Sequence, residues 1–463
     1  MAKTCPTAGK SNVQAVWACI EDVSGILQKP TAADFIVPRG NASMTQTPGT
    51  SASEELSETL NAIDIFQNAV DPGEASIPMY LRIPASGHMQ GHALMLAAMG
   101  RVQEPGTVAA QLDGALAAAD ADVGITGIEG GFFPPRGVVT IEDEKILYTG
   151  ITCDASGVVS ALTGVTRGYA GTTAAAHDAD TQVSLLSRVY RQDICRNTVS
   201  LWMKNDNVVT FGSGGVVTMT GISLSNENGQ AVDFTVQFRR MGWAGRSFLS
   251  TSPSGAVLHV VTSSGANAAQ AYSVGAYIKN TTQGDDNSGA GYAVTAVDAD
   301  NGTITLAGAP TGWVADDQID AWTPESAPIG DALESRSARL FLDGASGKVR
   351  EGSLSIGTPT EFLREIGDEY PGESVDTKRE ISMTMNGFMR ADDARELGRG
   401  YNGYEVAAVL RFGKTAMQSL SVIMPRVRMT MPEIGVQSAS FTLDRNGTAL
   451  GVKGEDALYL VQE

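Results

Sequence analysis

Along much of the chain, apolar and polar residues alternate with a period of two, the mark of a strand with one face in a core and the other in water. Val232-Asp-Phe234-Thr-Val236-Gln-Phe238 shows it most cleanly, and Val216 to Leu224 carries the same alternation. Further runs follow at Ala338 to Leu342, Ser353 to Ile356, Glu380 to Asn386, Glu405 to Phe412, Leu420 to Arg428 and Ser438 to Leu443. Such runs predict antiparallel strands, each half-buried. The fold class expected from these runs is mainly β, with two or three helices.

Helical signals are few. Met89 to Met99 is rich in Ala, Leu and Met and closes on Gly100, which predicts one buried helix. A second is expected from about Ala391 to Leu397, stopped by Gly398 and Gly400. Ser51 or Ser53 precedes glutamates at capping-box spacing and marks a possible short helix start, and Asp71-Pro72-Gly73 ends that stretch in a turn.

Turn residues divide the chain. Gly130-Gly131-Phe-Phe-Pro134-Pro135 reads as a boundary, followed by a hairpin of Val138 to Ile141 and Lys145 to Tyr148 turning on acidic residues. Ser250-Thr-Ser-Pro253-Ser-Gly255 opens another β-rich segment, in which Asp300-Asn301-Gly302 supplies a hairpin turn whose Asn and Gly both tolerate positive φ. The expected organisation is a core in three parts, 1–129, 188–253 and 326–463, carrying modules at 130–187 and 254–325. Val199 to Asp206 and Ala338 to Gly344 both begin an alternating strand that leads to a Ser-Leu-Ser (223–225 and 353–355), an echo suggestive of a duplicated sheet.

Composition narrows the function. Charged residues make up 18% of the 463 residues, against about 25% in an average domain, so little charged surface is available and burial in an assembly is favoured. The net charge of −19 opposes nucleic-acid and anionic-membrane binding. Glycine at 52 positions implies frequent turns. The longest apolar run, Ala93 to Met99, is too short to span a bilayer, and the first ten residues lack the apolar stretch of a secretory signal. Cys5, Cys19, Cys153 and Cys195 form no C-x-x-C pair and are expected as reduced thiols, consistent with a cytoplasmic folding compartment.

No reactive constellation emerges, so no catalytic, cofactor-binding or metal residue is expected and the chain does not read as an enzyme. His88 and His92 stand at i, i+4, but Met89 replaces the glutamate of H-E-x-x-H and the sequence offers no third ligand. Gly344-Ala-Ser-Gly347-Lys348 has the wrong spacing for a phosphate loop and reads as a hairpin turn. Asp298 to Gly302 lacks the glutamate of a calcium loop, and Gly284 to Gly289 reads as a solvated loop. Glu142-Asp143-Glu144 reads as a turn pointing into water. Arg239-Arg240 with Trp243 and Arg246 is the densest basic spot and is expected to pair with neighbouring acids.

In the last third, the strand Lys378 to Met385, the helix Ala391 to Leu397, the strand Tyr404 to Gly413, the segment Leu420-Ser-Val-Ile-Met-Pro-Arg-Val-Arg-Met-Thr-Met-Pro432 and Phe441-Thr-Leu-Asp444 follow one another in an order that resembles the tail tube proteins of tailed bacteriophages. Gly25 to Phe35, Asn41 to Pro48 and Ile77 to Arg82 are similar to the N-terminal part of that family. Gly137 to Gly150 with Leu162 to His177 resembles a small β module that recurs in phage virion proteins, whereas 254–325 has no counterpart in the family.

The resemblance implies a mainly β fold, an antiparallel β-sandwich or barrel of the tail tube type with one or two flanking helices and two inserted small β modules, and a virion structural protein whose rings, commonly hexamers, stack into the tail tube through which DNA is ejected. Its partners would be itself, the tape measure, terminator and baseplate or tip proteins, and viral DNA passing through without specific binding. No cofactor and no membrane insertion are implied, and the location would be the virion tail after assembly in the host cytoplasm. Residues from about Thr31 to Asp71 would form an irregular arm bridging to the next subunit, and both modules would sit on the outside. The alternative is a surface adhesin or carbohydrate-binding β protein, with the modules as ligand sites.

Overall fold

In a computed structural model of the chain, the residues described are 14–53, 64–84, 86–224, 229–326, 330–347, 349–389, 394–437, 440–452 and 454–463. The fold is mainly β, as the alternation requires: 36 strands accompany two α-helices among these residues. Nineteen strands join one branched sheet that folds over on itself, seven form a second sheet, and six close a barrel.

The large sheet has two layers. In one, hydrogen-bonded neighbours run in the order Ser43–Thr45, Gly73–Tyr80, Ala231–Phe238, the C-terminal part of Val208–Leu224, Glu351–Gly357, Glu380–Phe388, Ser440–Ala449 and Glu433–Gln437, all antiparallel. The other layer holds Gln14–Ile20, Val199–Asn205, Arg188–Gln192, Tyr459–Gln462, Tyr404–Phe412 and Arg339–Leu342. The long strands Val208–Leu224 and Leu420–Met429 contribute to both layers.

The helix His92–Met99 shares the core with both layers. Ala93, Leu94, Met95, Ala97, Ala98 and Met99 are all buried. Gly100, at φ 105°, closes the helix by donating its N–H to Leu96 O, the left-handed turn that a β-carbon would oppose.

Period-two alternation sorts the side chains of the second layer into different cores. Val16 and Ala18 point into the main core while Trp17 points the other way, and Leu201 and Met203 oppose Trp202 in the same manner. Trp17, Trp202, Val209 and Phe211 pack under the barrel, which runs from Ser247 to Ala321. Val189, Ile423 and Val461 pack under the seven-stranded module, while their neighbours Tyr190, Val422 and Leu460 face the main core. Both modules therefore lie on the side of the second layer away from the helix.

Several expectations need correction. The first module does not begin at Gly130: its sheet already includes Ala109–Leu112 and Val123–Glu129. The Gly130-Gly131 step lies between strands of that module, where a β-carbon on Gly130 would come within 2.0 Å of Thr107 O. The barrel likewise takes in Ser247–Leu249, upstream of residue 254.

Ser51 lies in the strand Pro48–Ala52, which pairs with Ile65–Val70 as a two-stranded ribbon. The expected irregular arm thus contains regular structure, while residues 54–63 lie outside the described residues. The second helix spans Ala394–Tyr401 and runs through Gly398 and Gly400, which do not stop it, and the first residues of its expected range, 391–393, lie outside those described.

The hairpin across residues 299–302 is present, with Asp298 opposite Thr303, and positive φ falls on Gly302 but not on Asn301. The Gly344 turn is a two-residue Asp343-Gly344 hairpin with both residues at positive φ. Lys348 lies outside the described residues.

The duplication is present, in a different alignment from the one the Ser-Leu-Ser echo suggests. In the first unit, Gln14–Ile20 pairs with the Val199–Asn205 strand; Ser43–Thr45 pairs with Gly73–Tyr80, which pairs with Ala231–Phe238; and Val208–Leu224 pairs with both Ala231–Phe238 and Arg240–Ala244. In the second, Arg339–Leu342, Glu351–Gly357, Glu380–Phe388, Tyr404–Phe412, Leu420–Met429, Ser440–Ala449 and Tyr459–Gln462 repeat that order and those pairings. Each unit also holds a two-stranded ribbon before its third strand and an eight-residue helix after it. Val199 therefore corresponds to the Tyr404 strand and not to Ala338. The first module lies between the helix and next strand of the first unit, and the barrel lies between the units.

Candidate functional site

The eight-stranded layer turns its other face to solvent. Alternation puts Glu74, Ser76, Pro78 and Tyr80 on that face, then Gln237, Thr235, Asp233 and Ala231 on the next strand. Met219, Gly221 and Ser223 follow, then Glu351, Ser353 and Ser355, then Glu380, Ser382, Thr384 and Asn386, and finally Thr448, Asn446 and Asp444. Alternate positions on the same strands, such as Ala75, Ile77, Met79, Phe234, Leu354 and Met383, are buried in the core. The core therefore decides which set is wet, a choice that alternation leaves open.

Among these six strands, no Lys or Arg stands on the polar face, while Glu74, Asp233, Glu351, Glu380 and Asp444 do. Cross-strand contacts are hydroxyl and amide bonds: Ser353 Oγ and Thr384 Oγ1 are 2.8 Å apart, and Asn386 Nδ2 donates to Asp444 Oδ1. Arg39, from the loop before Ser43, reaches Asp233 at 2.9 Å. These strands are acidic on balance, which disfavours phosphate there, while Arg39 is engaged by Asp233 and the exposed Arg428 stands opposite Thr448 at the border of the face.

The layer ends in Ser43–Thr45 on one side and Glu433–Gln437 on the other, each paired on one edge only among the described residues. Ile434 and Val436 are 51% and 74% exposed. An edge strand bearing exposed apolar residues invites another strand to pair with it. The ribbon of Pro48–Ala52 and Ile65–Val70 presents Ile65 and Phe66 to solvent, both more than half exposed.

The triplet Glu142-Asp143-Glu144 does not all face water. Glu144 is buried beneath its hairpin, where its carboxylate accepts from Arg167 Nε and Nη2, both at 2.8 Å, from Gly168 N at 2.9 Å and from Ala175 N at 3.1 Å. His177 bridges Glu144 and the exposed Glu142 at 2.9 Å each. Burial alone would raise the Glu144 carboxyl, but Arg167, His177 and the two backbone donors outweigh it and hold the group at about 2. This cluster fixes 164–177 onto the hairpin and engages the Glu144 carboxylate fully.

The structure supplies the third group that the sequence did not offer His88 and His92. Glu104 completes a set whose ligand atoms lie within 4.8 Å of one another. The imidazoles stack at 3.8 Å, His88 Nε2 lies 3.1 Å from Glu104, and His92 Nδ1 meets Tyr190 OH at 2.7 Å. Burial, followed by the neighbouring His88, pushes the His92 imidazole down to about 4. The Arg188 guanidinium holds Glu104 Oε2 at 2.8 Å and opposes a cation there.

The remaining sequence candidates are structural. Asp285 accepts from Trp313 Nε1 and Tyr292 OH inside the barrel. Arg246 pairs with Asp320 at 2.6 Å, and Arg240 lies over the Tyr370 ring. Cys19 is buried while Cys153 and Cys195 are exposed, all three as free thiols. No helix among the described residues is long and apolar enough to cross a membrane. No protein-family model matches the chain, and neither does any curated protein.

Proposed function

We propose that this chain is a virion structural protein of the tail tube kind, whose copies close into stacked rings around a channel that conducts DNA. The observation that supports this reading most is the eight-stranded layer, a wide acidic and hydroxyl-rich face open at both edges. Turned inward around a ring, that face lets DNA slide without adhering. Both modules pack behind the second layer, which would place them on the outside, where insertions are tolerated. The exposed ribbon suits axial contact with the next ring, where Ile65 and Phe66 would be covered. With two tube units per chain, the six units around a ring implied by the family resemblance correspond to three chains.

Negative-stain microscopy of the purified protein at high concentration tests the proposal. Rings or tubes of uniform bore are expected. Monomers that persist in the presence of the other tail proteins would overturn it, as would glycan binding retained by the isolated modules, which the adhesin alternative requires.

A further inference from the structure

The first module leaves and rejoins the core through a stem of two adjacent strands. Gly100–Gln103 pairs antiparallel with Arg188–Gln192, with Gln103 opposite Val189. Glu104 follows the outgoing strand and Arg188 opens the returning one, and Arg188 Nε donates to Glu104 Oε2 at 2.8 Å across the stem. The loop before the buried helix is pinned here, because Gly87 O accepts from Arg188 Nη1, and from Gln462 Nε2 at 3.0 Å. That loop carries His88, and the helix begins with His92.

Three ligand groups converge where loop, helix and stem meet. Tyr190 OH lies 2.7 Å from His92 Nδ1 and occupies that nitrogen, which leaves Nε2 for another partner. Tyr190 is buried, so its hydroxyl fixes the ring, as a hydrogen bond to the second nitrogen does for most metal-bound histidines. Arg188 takes Glu104 Oε2, and Oε1 is the oxygen that stands 3.1 Å from His88 Nε2. Two ligands of one tetrahedral zinc ion are about 3.3 Å apart, and the ligand atoms here lie within 4.8 Å of one another. The His88 and Glu104 side chains are 47% and 38% exposed, so closing the difference falls to them while His92 stays held.

From this we infer that His88, His92 and Glu104 bind one divalent cation of the zinc class, which fastens the stem of the first module to the loop and helix of the core. Two imidazoles and a carboxylate suit zinc and its neighbours, with a fourth place left for water. Arg188 opposes added positive charge, so magnesium or calcium, which gain little from imidazole, are not retained. The inference goes beyond the tube proposal and does not depend on it, since loop, helix and stem all belong to the single chain.

Calorimetric titration of the untagged full chain, freed of metal by a chelator, tests the assignment. Zinc is expected to bind at one site per chain with micromolar affinity, and magnesium to give no heat of binding. His88→Ala and Glu104→Gln, neither in the core, should each weaken zinc by about tenfold or more, and Tyr190→Phe, which keeps all three ligands but releases the His92 ring, by about tenfold. His259→Ala, in the barrel, should leave the affinity unchanged. Cobalt in place of zinc is expected to show the visible absorption of a four- or five-coordinate ion, and zinc to slow amide exchange across 86–92 and 101–104. No zinc binding by the parent protein would overturn the site. Binding that survives both His88→Ala and Glu104→Gln undiminished would do the same, marking an adventitious ion only. Zinc bound through these residues with exchange in the stem unchanged would overturn the fastening role.

Discussion

Glu144 and Arg167 form a two-pronged ion pair in which Nε and Nη2 of the guanidinium each lie 2.8 Å from a separate carboxylate oxygen, with both side chains almost wholly buried. Arg167 also donates to Ala117 O and Ala175 O, so one buried pair ties together three segments of the seven-stranded module.

Removing one partner of such a pair leaves the other charged and without compensation, at a cost of about 3 kcal/mol or more. Glu144→Gln is therefore expected to destabilise the module, with faster amide exchange across 164–177 and little change in the barrel. Hydrogen exchange read by mass spectrometry checks this; uniform protection in both proteins would contradict it.

The protein is expected to lose stability below neutral pH in two stages. The folded His92 imidazole, held near 4, binds its proton less readily than in the unfolded chain, where its value lies near 6.5. The unfolded state gains that proton first, so this contribution is complete above about 6.5 and declines as the pH falls toward 4. Glu144, held at about 2, adds a contribution present above its unfolded value and lost as the pH falls through 2. Urea unfolding at pH 7, 5.5 and 4.5 should give falling midpoints, and His92→Gln should flatten the slope between 6.5 and 4.

Lys29 joins the first unit to the barrel. Its ammonium lies 4.4 Å from the Trp322 ring centroid and 5.0 Å from that of Tyr277, and it donates to Ala290 O. Lys29→Met keeps much of the apolar stem and removes the charge, at a cost of about 1 kcal/mol. Earlier proteolytic cleavage near the barrel boundary is expected, with the main core intact; an unchanged digestion pattern would count against this role.

If the polar face keeps DNA from adhering through its charge, reversing that charge should create binding. Glu74→Lys, Glu351→Lys and Glu380→Lys change three exposed positions on three strands of the face. The triple variant is expected to bind duplex DNA with a salt slope of about −1 per neutralised phosphate, while the parent protein shows no binding by fluorescence anisotropy. Equal binding by both would remove the electrostatic basis for a non-adhesive channel.

Local order was largely legible in the chain itself. Ala231–Phe238 and Glu380–Phe388 announce themselves by alternation, and His92–Met99 by an apolar run closed with Gly100, because periodicity and left-handed glycine are properties of neighbouring residues. The bounds of the first module were not legible: the Gly130-Gly131 step marks a reversal of the chain, and a reversal does not say which sheet receives the strands on either side.

Sequence alone determined that this is a mainly β protein with an acidic balance and few charged residues for its length. Tertiary structure decided which face of each strand is wet, that Glu144 is buried, that Glu104 joins His88 and His92, and that the chain holds two copies of one unit. Those outcomes depend on contacts between residues far apart in the chain. Repeated strands can preserve their pairings while their residues diverge, because the backbone supplies the hydrogen bonds and the side chains need only keep to the correct face.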